Sequence, residues 1–287
     1  MNNLEIMVPY KVENNYEGFC FFADVFNSTD TLYDIRIKLF FNRTRWFEAN
    51  LVSVLGAWIE KMLKRNCYIE FVSVNNSLRN VFQKNGFYKK YNLQERDDVY
   101  DSTIKYKVFN PNQEDDFSVY VAEQVLPKIR INITKSVLKT LRTSLNEVFL
   151  NAKIHSKSEK VYTCGQYYHI HQKVAFTITD LGNTIAYNVR NKHNFSNIHD
   201  YDAIEWATIY GNTTKNYDDL GGIGLHIIDE FMKMNSGNFQ IVSGFGFWER
   251  VGGQVNKQYL SNFFPGTVVN IITSLENNLS MTEEILF

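Results

Sequence analysis

No apolar run in this chain approaches the roughly 20 residues needed to cross a bilayer. The opening Met1-Asn-Asn-Leu-Glu-Ile6 also lacks the basic-then-apolar layout of a secretory leader. Cysteine is scarce: Cys20, Cys67 and Cys164 are an odd, scattered set with no Cys-x-x-Cys spacing. That pattern points to reduced thiols in a cytosolic protein rather than a disulfide framework or a zinc site. Only 4 prolines interrupt 287 residues, which favours compact elements over linkers. Neither sign of charge dominates, since the net charge is −1, so nothing global points to nucleic acid or an anionic membrane. What remains, 44% hydrophobic and 21% charged residues, is the balance of a globular protein with chain enough for two cores.

In the first third, Leu4 to Phe22 alternates loosely as strands, and Ile35 to Phe41 alternates like a half-buried strand. Phe47 to Leu63 carries helical spacing in Leu51, Leu55, Trp58, Ile59 and Leu63. Tyr68 to Val74 reads as another strand, and Ser77 to Lys84 as a short helix closed by Asn85-Gly86-Phe87. Strand, helix, strand, helix implies a small α/β domain with right-handed crossovers. Phe109-Asn-Pro-Asn-Gln-Glu-Asp-Asp116 gathers turn formers and acids, which sets the boundary between domains spanning 1–110 and 111–287.

Beyond the boundary, Phe117 to Val125 reads as an amphipathic helix broken near Pro127, and Thr134 to Ile154 as a longer one. On the long helix, Glu147, Asn151 and His155 recur every fourth residue and form one polar stripe beside Val148, Phe149 and Ile154. A carboxylate, an amide and an imidazole on a largely buried helix call for a partner, and a metal-phosphate ligand is one candidate. Val161 to Tyr168 and Val174 to Asp180 read as adjacent strands, the second ending at Asp180-Leu-Gly182. A polar irregular stretch, a lid over about 184–220 with a short helix around Asp202 to Tyr210, leads to Gly221-Gly-Ile-Gly224, which opens a helix. Bare amides at such a helix start form an anion site, although no Walker A lysine follows. Gly237 to Gly244 and Thr267 to Thr273 supply the last strands.

In this order and spacing, Glu147-x-x-x-Asn151-Ala-x-x-His155, Asp180-x-Gly182, Gly222-x-Gly224-Leu225 and Gly266-Thr267 resemble the four boxes of the GHKL ATP-binding superfamily. That superfamily includes gyrase, the heat-shock chaperone ATPase, histidine kinases and anti-sigma-factor serine kinases. The N-terminal succession is similar to a STAS-like domain, although the turn Trp46-Phe-Glu-Ala-Asn50 has no hydroxyl where that family is phosphorylated, and Ser53 falls within the helix. The resemblance implies a two-layer α+β sandwich of the Bergerat type preceded by a STAS-like α/β domain. It further implies ATP and Mg²⁺ as ligands, with Asn151 the metal ligand, Glu147 a general base and Asp180 the partner of the adenine amine. Gly182 would give the base room, Gly221, Gly222 and Gly224 would line the phosphates, and Thr267 would support the adenine-side bonds. Thr184 departs from the pattern by standing where the second glycine of the Asp180 box is usual.

Other residues keep two readings open. Thr213 and Lys215 would reach a γ-phosphate under a closed lid or belong to a solvated loop, and His155 braces the helix end. His169-x-His171 falls at a hairpin tip without a third ligand in view. Trp206 anchors the lid helix, the role of His226 stays open beside plain packing under its helix, and the tail from Ser274 to Phe287 carries few structural signals. Three functions remain: a slow ATPase or ATP-driven switch coupled to the STAS-like domain, a serine/threonine protein kinase of the anti-sigma-factor kind, and a non-catalytic nucleotide-sensing interaction protein. A protein partner or homodimer accompanies each.

Overall fold

The computed structural model describes residues 3–129, 134–193, 195–214 and 223–275, and its content is mixed α/β as expected. The chain opens with β1 (Asn3–Met7), the two-residue β2 (Lys11–Val12) and α1 (Tyr16–Ser28). Asn15 starts α1 by accepting the Gly18 N–H at 2.9 Å, so the loose alternation expected as strands is helical from Tyr16 onward. Phe19, Phe22, Ala23 and Phe26 bury one face at helical spacing, a period that an eye for alternation misses in so short a window. β3 (Arg36–Phe40) and β4 (Trp46–Phe47) precede α2 (Val52–Lys64), which is entered through a tight turn over Ala49–Leu51. β5 (Tyr68–Val72), α3 (Asn76–Lys84) and α4 (Phe87–Lys90) follow, with Gly86 at φ 80° making the expected left-handed turn between the two helices. The strands pair in parallel in the order β1-β3-β5, and β2 pairs in parallel with β4.

β6 (Thr103–Phe109) leads through α5 (Glu114–Tyr120), a π turn over Val121–Val125 and α6 (Leu126–Ile129) to α7 (Lys135–Ile154). The helix was expected to break near Pro127. The wide turn ahead of the proline shifts the hydrogen-bond register where Pro127 has no N–H to give, and helix continues to Ile129. β7 (Val161–Tyr168) and β8 (Lys173–Asp180) form a hairpin, and β6 pairs antiparallel with β7. The strand just ahead of the expected boundary at 110 therefore belongs to the second sheet, and the Pro-Asn-Gln turn marks a surface corner rather than a change of sheet.

Three helices, α8 (Ile185–His193), α9 (Asp200–Thr208) and α10 (Gly224–Met234), carry the chain to β9 (Asn238–Val251) and β10 (Gln254–Ser274). The stretch expected to be irregular with one short helix thus holds two, because Ala186, Val189 and Ala203 pack together into a small apolar cluster. The second sheet runs β6-β7-β8-β10-β9, antiparallel throughout. Its last strands are longer than expected. Gly244, at φ 64°, reverses β9, after which Trp248 packs edge-on to Phe239 and the Gly252 N–H reaches the Gly237 carbonyl. β10 follows both halves, pairing Gln254 to Tyr259 with the outer one and Thr267 to Ile272 with the inner one.

Both faces of this sheet are covered. On one, Phe176, Ile178, Ile241 and Ile271 share a core with Leu145 and Phe149 of α7 and Phe231 of α10. On the other, Tyr162, Cys164, Val242 and Val268 share a core with Phe19, Phe26, Leu55 and Trp58, so the N-terminal region forms a further layer behind the sheet. Polar side chains sit inside that second interface. Asn50 Nδ2 lies 2.7 Å from Asn14 Oδ1, 2.8 Å from Thr177 Oγ1 and 2.9 Å from Asn270 Oδ1. Asn270 Nδ2 in turn donates to Gln240 Oε1 at 2.6 Å, and the Thr179 hydroxyl meets that of the fully buried Ser53 at 3.2 Å. Among the described residues, no helix is long and apolar enough to cross a membrane. Replacing Asn50 with Ala strands buried oxygens on Thr177 and Asn270, so Asn50→Ala lowers the unfolding free energy by about 2 kcal/mol in urea titrations.

Candidate functional site

α7 begins where Thr134 accepts the Val137 N–H at 3.3 Å, and it buries Leu141, Leu145, Val148, Phe149 and Ala152 against the sheet. The adjoining stripe of Glu147, Asn151 and His155 opens on a cleft. Ile178, Asp180, Thr267 and Val269 of β8 and β10 also line it, Val148 and Leu225 add apolar surface, and Ile185, Val189 and Trp206 come from the helices of the crossover. The walls are apolar with a few converging polar groups, the usual make-up of a small-molecule site.

Asp180 is the most constrained of those groups. It is the last residue of β8 and is 8% exposed. Ser156 Oγ and the Gly182 N–H, the latter at 3.1 Å, both donate to Oδ1, and no described residue bonds to Oδ2. Burial penalises the charged form more than these two hydrogen bonds favour it, and the carboxyl is pushed from 3.8 up to about 6. Two glycines let the backbone crowd around it. A Cβ on Gly182 would stand 2.0 Å from Ser156 Oγ and 2.2 Å from the Ser156 carbonyl oxygen. One on Gly266, whose φ is 128°, would stand 2.1 Å from the Asp180 carbonyl oxygen. Thr267 is the cross-strand partner of Asp180, and its hydroxyl lies 3.0 Å from Ser243 Oγ.

At the other end of the stripe, Glu147 Oε1 accepts the Ile223 N–H at 3.3 Å, at the entrance to α10. Gly224 makes this approach possible, since a Cβ there would stand 2.9 Å from Glu147 Cβ. The Asn151 side chain has no hydrogen-bond partner among the described residues, and its backbone carbonyl closes α7 by accepting from His155 and Ser156. His155 Nδ1 meets Thr214 Oγ1 at 2.7 Å, which ties the end of α7 to the turn beyond α9. Thr213 lines the cleft, whereas Lys215, Gly221 and Gly222 lie outside the described residues.

Thr184 does not line this cleft. Its hydroxyl accepts the Tyr187 N–H at 3.2 Å and starts α8, a capping role that a glycine would not fill. Sequence reasoning missed Ser156, Asn183, Asn188 and Asn212. For Ser156 the one signal was its place immediately after the stripe; the others lie in helices and turns that the expected lid left undefined. His226 faces the Thr208 carbonyl at 3.3 Å, and His169 packs on Tyr167 at the hairpin tip. Among the described residues no group of three His, Cys, Asp or Glu could hold a metal ion unaided. No family model matches this chain, and no curated protein matches it.

Because the folded state keeps the Asp180 proton to higher pH than the unfolded chain does, stability is greatest below pH 3.8 for this group and falls as pH rises towards about 6. The loss amounts to about 3 kcal/mol. Thermal or urea unfolding measured across that window shows the slope, and Asp180→Asn abolishes it. Gly182→Ala forces Ser156 and Asp180 apart and costs about 2 kcal/mol or more in the same assay.

Proposed function

We propose that the cleft binds ATP with Mg²⁺ and that the chain is an ATP-driven switch or slow ATPase whose nucleotide state is read by the STAS-like N-terminal region. The observation that carries this reading is the convergence of Glu147, Asn151, Asp180 and Thr267 on one cleft, with Gly224 packed on Glu147, in the chain order and spacing of the GHKL boxes. The residues also fit the ligand chemically. Asp180 presents an unpartnered Oδ2 from a dry strand end, which suits the exocyclic amine of adenine. The side chain of Asn151, which has no hydrogen-bond partner among the described residues, suits Mg²⁺, which takes few protein oxygens alongside phosphate oxygens and water.

Bound there, Mg²⁺ would offset charge developing on the phosphates. The protein would do the rest. Asn151 would hold the metal side, Asp180 and Thr267 would fix the base, the start of α10 would face the phosphates, and Glu147 would orient water. One feature favours the sensing reading over turnover: Glu147 Oε1 already accepts the Ile223 N–H, and a hydrogen bond to the charged carboxylate makes it a weaker base. Phosphotransfer to the chain's own N-terminal region gains no support, because Ser53 is fully buried against Thr179 on the opposite face of the sheet.

Calorimetric titration with ATP tests the proposal. Binding depends on Mg²⁺, Asn151→Ala removes that dependence, and Asp180→Asn removes the preference for adenine over guanine. Affinity rises about tenfold between pH 5 and pH 7.5 as Asp180 ionises to accept the amine. No Mg²⁺-dependent binding at millimolar ATP would sink the reading. Phosphate release abolished by Glu147→Ala identifies an ATPase, and binding without release identifies a sensor.

A further inference from the structure

Three hollows that the nucleotide reading does not use lie side by side on the N-terminal region, at the carboxyl ends of β1 and β3 and along α3. The first is lined by Tyr10, Asn42, Arg43 and Arg45 among others. The second shares Arg45 and adds Trp46, Asn80 and Tyr168. The third shares Asn80 and adds Arg79, Gln94 and Arg96. Through the shared residues the hollows form one continuous track.

Four of the ten arginines of a chain with net charge −1 stand on this track. None is paired with a carboxylate among the described residues. Arg43 and Arg45 have no side-chain partner there, Arg79 donates to the Val74 carbonyl at 3.3 Å, and Arg96 donates to Asn80 Oδ1 at 2.6 Å. Glu95 contributes a carboxylate to the lining, and Lys89 holds it at 2.7 Å. Like charges gathered without counter-charges repel one another, so the fold itself gains nothing from this clustering.

The loop bearing the first two arginines is fixed in place. Thr44 is fully buried, its hydroxyl donates to the Val8 carbonyl at 3.1 Å, and its own carbonyl accepts from Asn75 Nδ2 at 2.8 Å. The Arg45 N–H donates to the Tyr10 carbonyl at 2.8 Å. Arg43 and Arg45 therefore flank a buried anchor and are themselves exposed. Two exposed rings accompany them: Tyr10 is 61% exposed, and Trp46, which leans on Tyr168 at 6.3 Å between centroids, is 39% exposed.

Guanidinium groups match phosphate oxygens two at a time, exposed rings stack unpaired bases, and amides such as those of Asn42 and Gln94 read base edges. A track of several arginines suits an extended polyanion better than a single phosphate. The rings and amides suit bases better than the side chains of an acidic peptide. We propose that this rim binds single-stranded nucleic acid, with phosphates on Arg43, Arg45, Arg79 and Arg96 and bases stacked on Tyr10 and Trp46.

Fluorescence anisotropy with labelled oligouridylate and oligothymidylate of about 12 nucleotides tests this. Affinity falls as salt rises, and comparison of the two probes decides between RNA and DNA. The double variant Arg43→Ala/Arg45→Ala weakens binding about tenfold or more and lowers the salt slope by about 1.4, the contribution of two lost phosphate contacts. Trp46→Ala weakens binding about fivefold or more while leaving the salt slope unchanged. All these side chains are exposed, and matching thermal unfolding curves establish that the variants fold. The proposal is overturned if the wild-type protein binds neither oligonucleotide at low salt, or if the four-arginine variant binds as tightly as wild type. It is equally overturned if polyglutamate of matched charge displaces the oligonucleotide, which would make the rim a peptide surface.

Discussion

The second sheet works only because its central strands are dressed differently on their two faces. In β8, Thr177 and Thr179 point to the N-terminal region while Ile178 and Asp180 point to the cleft; in β10, Asn270 and Val269 divide in the same way. Such a strand buries hydroxyls and amides, and each costs free energy unless a partner meets it. Asn50 meets two of them at once, and Asn14 and Gln240 complete the set. An apolar interface alone would tolerate sliding, because burial has no direction. A hydrogen-bonded one has a register, so the N-terminal region sits against β8 and β10 in one position, and the floor of the cleft is held from behind.

That support explains how Asp180 can be kept in so dry a place. Its carboxyl receives two hydrogen bonds on one oxygen, yet burial prevails and raises its pKa. The glycines at 182 and 266 remove the side chains that would otherwise hold the neighbouring backbone away. The result is an acceptor with its position fixed and its second oxygen unspent. Under the proposed reading the adenine amine supplies what that oxygen lacks, and the strand end needs no rearrangement to receive it.

Much of this was legible in the sequence. The stripe at 147, 151 and 155, Asp180 and Thr267 all meet in one cleft, because a four-residue period on α7 and a two-residue period on β8 and β10 are rigid rules of geometry. The illegible parts follow from interactions distant in sequence. α1 was hidden because a short aromatic-rich stretch satisfies both periods, and only packing on the sheet selects the helix. β6 went unread because its pairing with β7 crosses more than fifty intervening residues that no local pattern encodes. Thr184 read as a defect in a glycine box; it is the cap of α8, which was itself unexpected. Ser156 and Asn50 carry polar roles whose partners lie in other elements, and their own neighbours in sequence say nothing of them.

Glu147 joins these threads. A helix start attracts negative charge, and at α10 a carboxylate of the protein already answers that attraction through the Ile223 N–H. A nucleotide phosphate arriving at the same place meets a like charge, so either the carboxylate turns away or α10 shifts. Gly224 leaves little slack for a small adjustment, since the helix start is packed directly on Glu147. α10 rests on β9 through Phe231, Met232, Phe239 and Ile241. β9 in turn carries Gln240, which bonds to Asn14 and Asn270 of the polar interface. A contiguous set of packed and hydrogen-bonded groups therefore connects the phosphate end of the proposed site to the N-terminal region. In the proposed switch, the competition between Glu147 and phosphate is the event that this connection would transmit.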